Sequence, residues 1–510
     1  MRKKPMNIQE AKNQIKNAIT AYLTKDEYDN YMIPTEKQRP VFLIGAPGIG
    51  KTAIIEQIAQ ELDLPVVSYS MTHHTRQSAL GLPFISQKNY DGKEYSVSEY
   101  TMSEIIASVY DMREKTGKKE GILFLDEINC VSETLSPVML QFLQYKVFGK
   151  HRVPDGWIIV TAGNPPEYNN SVHDFDIVTL DRLKRIDVAP DYYCWRSYAV
   201  NANIHPSIIS FLDANADKFY KVETTAEGKS FITARGWEDL SRMINVYEKN
   251  GVEVDSDLIC QYIQNNKIAR DFSCYYDLFN KYKSDYRVDK IIDGEADDEI
   301  KSRAREAKFD ERIALLSVLT DGIISRLDDV ILNDEILAEY MTIVKNFKFE
   351  SARVGFSAEN CISNEIKKQS DAIEIGKAAG TLSVRERKKH KRVISTLESV
   401  SRLISDDLAA DDAFAVIKDD FDLRKKENKK IADTAKKQLD NVFKFLDEAF
   451  GDNRETVIFT TEMTINKYAS KFLARYGSDE YFCHNKDMLV YGRQAEIDKE
   501  IESLSGSDDC

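Results

Sequence analysis

The apolar positions of the first 190 residues gather into short, almost unbroken runs between Gly and Pro: VFLIG at 41–45, PVVSYS at 65–70, GILFLD at 121–126 and WIIVTAGN at 157–164. Runs this short, rich in β-branched and aromatic residues, predict strands of a parallel sheet buried under helices on both faces. Between them the period changes to that of a helix. In TAIIEQIAQEL, residues Ile54, Ile55, Ile58, Ala59 and Leu62 fall on one side. Alternating strands and helices predict an α/β domain over residues 1–190.

From 191 to about 285 no comparable strand run occurs. Helical patterns around Tyr193–Val200, Pro206–Asp213, Arg235–Glu248 and Asp255–Tyr282 predict a small helical domain. Residues 286–510 are charged and helical. The stretch DGEADDEIKSRAREAKFDER reads as an exposed connector or a solvated helix. After it, Ile313, Leu316, Leu319, Ile323, Leu327 and Val330 recur at helical spacing, followed by Ile336, Tyr340, Ile343 and Phe347. Val393, Leu397, Val400 and Ile404 form another stripe, and Leu439, Val442, Phe443, Leu446 and Phe450 a further one. Such stripes are helix-packing faces. No internal repeat is visible.

The chain has 510 residues, 42% hydrophobic and 30% charged, which excludes a disordered, collagen-like or disulfide-scaffold protein. A net charge of −14 counts against a nucleic-acid coat or a membrane-surface binder. The seven cysteines (130, 194, 260, 274, 361, 483 and 510) are scattered without a CxxC pair and read as free thiols of a reducing compartment. The basic MRKKPMN start is not followed by an apolar segment, and no run reaches the ~18 residues that span a bilayer. These features predict a cytoplasmic protein without membrane insertion.

The strongest chemical signal is Gly45-Ala46-Pro47-Gly48-Ile49-Gly50-Lys51-Thr52, between a predicted strand and a predicted helix. Its glycines let backbone N–H groups wrap a phosphate without Cβ clashes. The helix N-terminus adds positive potential at the same point. Lys51 is placed to reach the β- and γ-phosphates of ATP, and the Thr52 hydroxyl to ligate Mg²⁺. The strand ILFL then ends in adjacent carboxylates. Asp126 would hold Mg²⁺ and Glu127 would polarise the attacking water, because a carboxylate engaged by the metal cannot also serve as base. A third strand ends in Asn164, an amide suited to hold the lytic water or touch the γ-phosphate; the alternative is a plain turn residue before Pro-Pro.

These residues resemble an AAA+ ATPase of the MoxR-like, dynein-related branch. GAPGIGKT and ILFLDEIN are similar to that family's Walker A and Walker B segments, and TAGNPPE to its sensor 1 segment. The resemblance implies a trans-acting arginine. Leu180-Asp181-Arg182-Leu183 resembles the family's Asp-Arg-Phe, which makes Arg182 the finger candidate and Arg185 the runner-up. Phe231-Ile-Thr-Ala-Arg235-Gly-Trp is similar to the sensor 2 segment at the start of a lid helix, with Ala234 in place of its usual proline. The resemblance covers roughly residues 38–280, with 191–285 as the helical lid.

The stretch at about 70–100 resembles the helix-2 insert of the same branch. Phe84–Asn89 and Glu94–Tyr100 can pair as a hairpin across Asp91-Gly92. In ring ATPases of this group the insert faces the pore or the partner; otherwise it is a passive surface hairpin. His73 and His74 at its base have no matching Cys or His at ligand spacing. The basic run Arg385–Arg392 is followed by Asp406, Asp407, Asp411, Asp412, Asp419, Asp420 and Asp422, and opposed blocks of this kind satisfy one another or face solvent. Cys483-His484 reads as a structural pair.

The resemblance implies an ATP-driven remodelling or chaperone-like ATPase, assembled as a homo-oligomeric ring and working with a von Willebrand factor A domain protein. The alternatives are an AAA+ motor subunit acting on nucleic acid, and a nucleotide-gated scaffold. The acidic charge opposes the first of these, and Glu127, Asn164 and Arg182 oppose the second. A small-molecule kinase would have no use for the second acidic motif or the late arginines.

Overall fold

The computed structural model describes residues 5–73, 81–132, 134–168, 172, 175–225, 228–353, 356–379, 382–404, 408–451 and 454–486. His74, Asp406, Asp407 and Cys510 lie outside these residues, as does the side chain of His73. Contacts divide the chain into two units. One comprises Met1–Trp195 with Thr233–Arg235 and Lys368–Lys388; the other comprises Arg196–Ile232, Gly236–Lys367 and Lys389–Cys510.

The first unit is built on the strands β1 (Val41–Gly45), β2 (Val66–Ser70), β3 (Pro83–Tyr90), β4 (Lys93–Tyr100), β5 (Gly121–Asp126), β6 (Val147–Phe148), β7 (His151–Arg152), β8 (Trp157–Gly163) and β9 (Lys184–Val188). Five of them form one parallel sheet in the order β2-β5-β8-β1-β9. All seven residues of β8 are buried, as expected of a strand covered on both faces. On one face Phe42, Leu123, Leu125 and Ile159 pack with Ile105, Ile106 and Val109 of helix Glu104–Thr116 and Met139, Phe142 and Leu143 of helix Ser136–Tyr145. Helices Ile8–Leu23 and Lys51–Leu62 cover the other, burying Ile15, Ile19, Ile54, Ile55 and Ile58. Along the open edge of β2, the Val66 N–H donates to the Ala379 carbonyl at 3.2 Å.

Strands β3 and β4 pair in antiparallel register from Pro83↔Tyr100 to Tyr90↔Lys93, the hairpin that the Asp-Gly dipeptide predicts. Asp91 and Gly92 both carry positive φ, 51° and 77°, which a tight type I′ turn demands. Glu99 is ion-paired to Lys88 and to Lys150 at the hairpin base. Phe84, Ile85, Tyr90 and Tyr95 are exposed.

Among the described residues the second unit is helical apart from one ladder. Where the sequence predicted helices alone, β10 (Lys221–Thr225) pairs antiparallel with β11 (Gly228–Ile232). The run expected as one helix over Asp255–Tyr282 is two, Ser256–Tyr262 and Asn266–Asp285. The apolar stripes from Ile313 to Phe347 belong to one 43-residue helix, Phe309–Ser351. It runs antiparallel to the 41-residue helix Ala410–Phe450: Leu319 and Leu327 share a core with Leu439 and Phe443, whereas Tyr340 and Phe347 share one with Ala413 and Ile417. The acidic stretch before it holds helix Asp298–Glu306, whose Ile300 and Ala304 are buried, so this segment is docked rather than solvated throughout. Within the basic run, Lys389 pairs with Glu339 at 3.6 Å and Arg392 donates to Asn333 at 3.1 Å. Asp420 is taken by Arg424 and the Tyr340 hydroxyl. Among the described residues no helix is long and apolar enough to cross a membrane.

Arg196 binds Asp213 at 2.5 Å and Glu462 at 2.6 Å, and these carboxylates raise its pKa although burial opposes the charge. Replacing Arg196 by Ala leaves the buried Glu462 without that cation. The expected cost is about 2 kcal/mol, below the roughly 3–5 kcal/mol of a fully buried pair because 21% of the Arg196 side chain remains in water. A urea midpoint for Arg196→Ala equal to that of the parent would refute this assignment.

Candidate functional site

Parallel strands end on the same side of their sheet, so the segments after β1, β2, β5 and β8 converge. After β1 the chain turns through Gly48 and Gly50, with φ of 71° and 93° that only glycine adopts freely. A Cβ on Gly48 would fall 2.7 Å from the Thr233 hydroxyl oxygen. Helix Lys51–Leu62 then starts without a side-chain cap and without an acidic residue in its first turn. The helix Ile8–Leu23 of the same unit is capped reciprocally by Asn7 and Glu10. An uncapped N-terminus leaves backbone N–H groups and the positive helix end directed at an anion.

Lys51 is buried, and its ammonium donates to three oxygens: Gly45 O at 2.8 Å, Ala46 O at 2.9 Å and Asn164 Oδ1 at 2.8 Å. Burial depresses its pKa to about 8, with Asp126 opposing the shift and Arg235 adding to it. At neutral pH the group is therefore still charged. Thr52 Oγ1 donates to Asp126 Oδ2 at 3.2 Å. A hydroxyl oxygen beside a carboxylate oxygen is a donor pair suited to a hard cation such as Mg²⁺.

Glu127 adopts a left-handed conformation, φ 55°, directly after β5. Its Oε2 accepts from Ser70 Oγ at 3.1 Å and from Thr72 Oγ1 at 3.2 Å. The structure thus brings together Lys51, Thr52, Asp126, Glu127 and Asn164. It also places Arg235 with them: the Arg235 N–H donates to Gly48 O at 3.1 Å, and its side chain is exposed. Ala234, where a proline is usual in the resembling segment, begins helix Ala234–Asn250 without disturbing this contact.

Arg182 stands apart. It lies before β9, whose register with β1 starts at Val41↔Lys184 and ends at Gly45↔Val188. Arg182 is therefore at the strand end opposite the Gly45–Thr52 loop. It is exposed and, among the described residues, forms no side-chain hydrogen bond or salt bridge, although its charge helps to lower the Asp176 pKa. Arg185 instead donates through Nε and Nη2 to Asp187 Oδ1 at 2.9 and 2.8 Å.

Three positioning residues escaped the sequence reading. Ser70 and Thr72 hold Glu127, and the signal was a polar end on the second strand. Asn129 is buried and donates from Nδ2 to the Asn164 backbone carbonyl at 2.8 Å. A Cβ on Gly163 would lie 2.4 Å from Asn129 Oδ1, so only glycine fits there. The signal was an amide three residues after Asp126.

Residues 41–170 match the sequence model of the ATPase family associated with various cellular activities (AAA). No individual curated protein matches the chain. The matched span contains Gly45–Thr52, Asp126, Glu127 and Asn164, and it ends before Arg182 and Arg235. The chain thus carries an AAA ATPase domain, with the nucleotide binding and ATP hydrolysis general to that family.

The depressed Lys51 pKa gives a signed pH dependence. An incoming polyphosphate favours the charged ammonium, so binding takes up a proton once pH exceeds the resting pKa of about 8. ATP affinity should be flat below that pH and fall above it, toward about ten-fold per pH unit. Titrations in buffers of different ionisation enthalpy should register the proton. Constant affinity to pH 9.5 without proton uptake would contradict the assignment.

The Ser70 and Thr72 hydroxyls hold the Glu127 carboxylate in place and occupy its Oε2. Ser70→Ala with Thr72→Val should raise basal ATP turnover several-fold, roughly the effect of losing two hydrogen bonds to a charged group on a rate-limiting step. The ATP dissociation constant should be nearly unchanged. Unaltered turnover, or a loss confined to affinity, would show that these hydroxyls do not govern Glu127.

Proposed function

We propose that the chain is an AAA+ remodelling or chaperone-like ATPase of the MoxR-like branch. In this reading it assembles as a homo-oligomeric ring in the cytoplasm and acts on a protein partner, with a von Willebrand factor A domain protein as the partner class. ATP and Mg²⁺ are its cofactors. Lys51 would bind the β- and γ-phosphates, Thr52 and Asp126 would hold Mg²⁺, and the ion would neutralise phosphate charge. Glu127 would accept the proton of the attacking water, which Asn164 orients.

The position of Arg182 carries the ring reading. Five residues of β9 at about 3.3 Å each separate it from the level of its own phosphate loop. An exposed guanidinium without an ion-pair partner among the described residues, held that far from its own site, is suited to a second chain's γ-phosphate. Arg185 is already bonded to Asp187. The exposed aromatic β3–β4 hairpin supports a protein partner, and the net charge of −14 weighs against a nucleic-acid motor. ATPase stimulation by DNA that collapses with added salt would favour that alternative.

Mixing variants tests the proposal. Lys51→Ala should lose tight ATP binding. Arg182→Ala should bind ATP nearly normally but hydrolyse it roughly 10³-fold more slowly. In a mixed ring, an Arg182→Ala subunit keeps a sound phosphate loop and its Lys51→Ala neighbour offers an intact arginine. With subunit exchange shown independently, activity should return at such interfaces. No return at any ratio, or rescue with Arg185→Ala in place of Arg182→Ala, would overturn the assignment of Arg182. A strictly monomeric active species in sedimentation with a slowly hydrolysed ATP analogue would overturn the ring.

A further inference from the structure

The helical residues 479–486 bring His484 against the long helix Ala410–Phe450, and the pair that the sequence left as merely structural acquires a chemical setting. His484 Nε2 lies 3.2 Å from Asp447 Oδ2. Glu480 sits one helical turn before His484, so its carboxylate projects from the same face. One donor atom each from Asp447, Glu480 and His484 lies within 4.8 Å of the other two. We infer that these three residues form a binding site for a divalent transition metal of the Zn²⁺ class.

The donor geometry suits such an ion. Tetrahedral zinc with bonds of about 2.0–2.2 Å places its ligands roughly 3.4 Å apart. The imidazole nitrogen and the Asp447 oxygen already stand close to that separation. The two distances to the Glu480 carboxylate, both within 4.8 Å, can shorten by rotation of its flexible side chain. The imidazole is pre-oriented: its ring lies flat on Phe443, with centroids 5.1 Å apart and planes 15° apart. Phe443 is fully buried and one turn before Asp447, so the surface that fixes the ring and the helix that supplies the carboxylate are one element. All three ligands are half-buried, which keeps the desolvation cost small and leaves a fourth position open to water.

The donor set also selects the metal. One nitrogen and two carboxylate oxygens are a poor match for the six or more oxygens that Ca²⁺ and Mg²⁺ prefer. Imidazole with carboxylates is typical for Zn²⁺ and its first-row neighbours. Bound there, the ion joins residues 479–486 to the helix Ala410–Phe450 beside a core that contains Phe459 and Tyr481. The site uses no residue of the phosphate-binding centre, so it is a structural clamp rather than part of ATP turnover.

Zinc alone is the probe. The full-length chain, stripped with a chelator, is titrated with Zn²⁺ in competition with a chromophoric chelator and followed by thermal unfolding. Expected is one equivalent bound by the parent that is absent from His484→Ala, with affinity at least roughly ten-fold weaker in Glu480→Gln. Zn²⁺ should raise the parent melting temperature, raise that of Glu480→Gln by less at the same zinc concentration, and leave His484→Ala unmoved. His484→Ala also removes a ring packed on Phe443; Glu480→Gln keeps the shape of its side chain and guards against a simple folding defect. Equal zinc uptake and equal thermal shift in the parent and Glu480→Gln would overturn the site. ATP turnover should be the same in all three proteins, and a loss that tracks the metal would overturn the clamp reading.

Discussion

A buried ammonium with three oxygen acceptors organises the first unit. Lys51 has nowhere to put its charge except on the Gly45 and Ala46 carbonyls and the Asn164 amide, and these come from the ends of two neighbouring strands. A lysine desolvated this far is tolerated only because every proton of its ammonium has a partner. The strand order β5-β8-β1 follows the same requirement: it sets the chain end carrying Asp126 and Glu127, the one carrying Asn164 and the phosphate loop side by side. Asn129 ties the β5 end to the β8 end, and a glycine at 163 is the condition for that approach.

Much of this was legible because the relevant signals are local. A strand buried on both faces has no polar residue to interrupt it, so β1, β5 and β8 stand out as apolar runs with chemistry at their carboxyl ends. The phosphate loop is legible because close backbone approach allows few residue types. The β3–β4 hairpin is legible through one dipeptide whose two residues must take positive φ. The β10–β11 ladder was not, because KVETT and GKSFI are mostly exposed and carry too few apolar residues to mark a face.

The parts of the site that stayed hidden share a cause. Ser70, Thr72 and Asn129 are polar residues just inside or just past a strand end, where caps and turns use the same residue types. Their role depends on which strand lies alongside, and that is a property of the sheet. The Ser70–Glu127 bond exists because β2 pairs with β5 in the register Ser70↔Asp126, which leaves Glu127 one step beyond. Likewise, the arginines at 182 and 185 are nearly equivalent as letters. Only the fold separates them, by giving Arg185 a carboxylate two residues away on the same strand and placing Arg182 in the turn before it.

At the phosphate loop the cations Lys51 and Arg235 stand with the carboxylates of Asp126 and Glu127. Arg235 contributes to the depression of the Lys51 pKa, so the two cations repel one another across the place a polyphosphate would take. Asp126 and, more weakly, Glu127 offset part of that repulsion, and Glu127 is held by two hydroxyls. An incoming polyanion relieves the repulsion, so the segment that supplies Arg235 is drawn into the energetics of binding. That segment is short. Thr233 fills the space beside Gly48, and the Arg235 N–H is bonded to the Gly48 carbonyl. Its chain neighbours Ile232 and Gly236 both belong to the second unit. The segment that lies against a loop glycine intolerant of any side chain is thus joined by a peptide link at each end to chain assigned to the second unit.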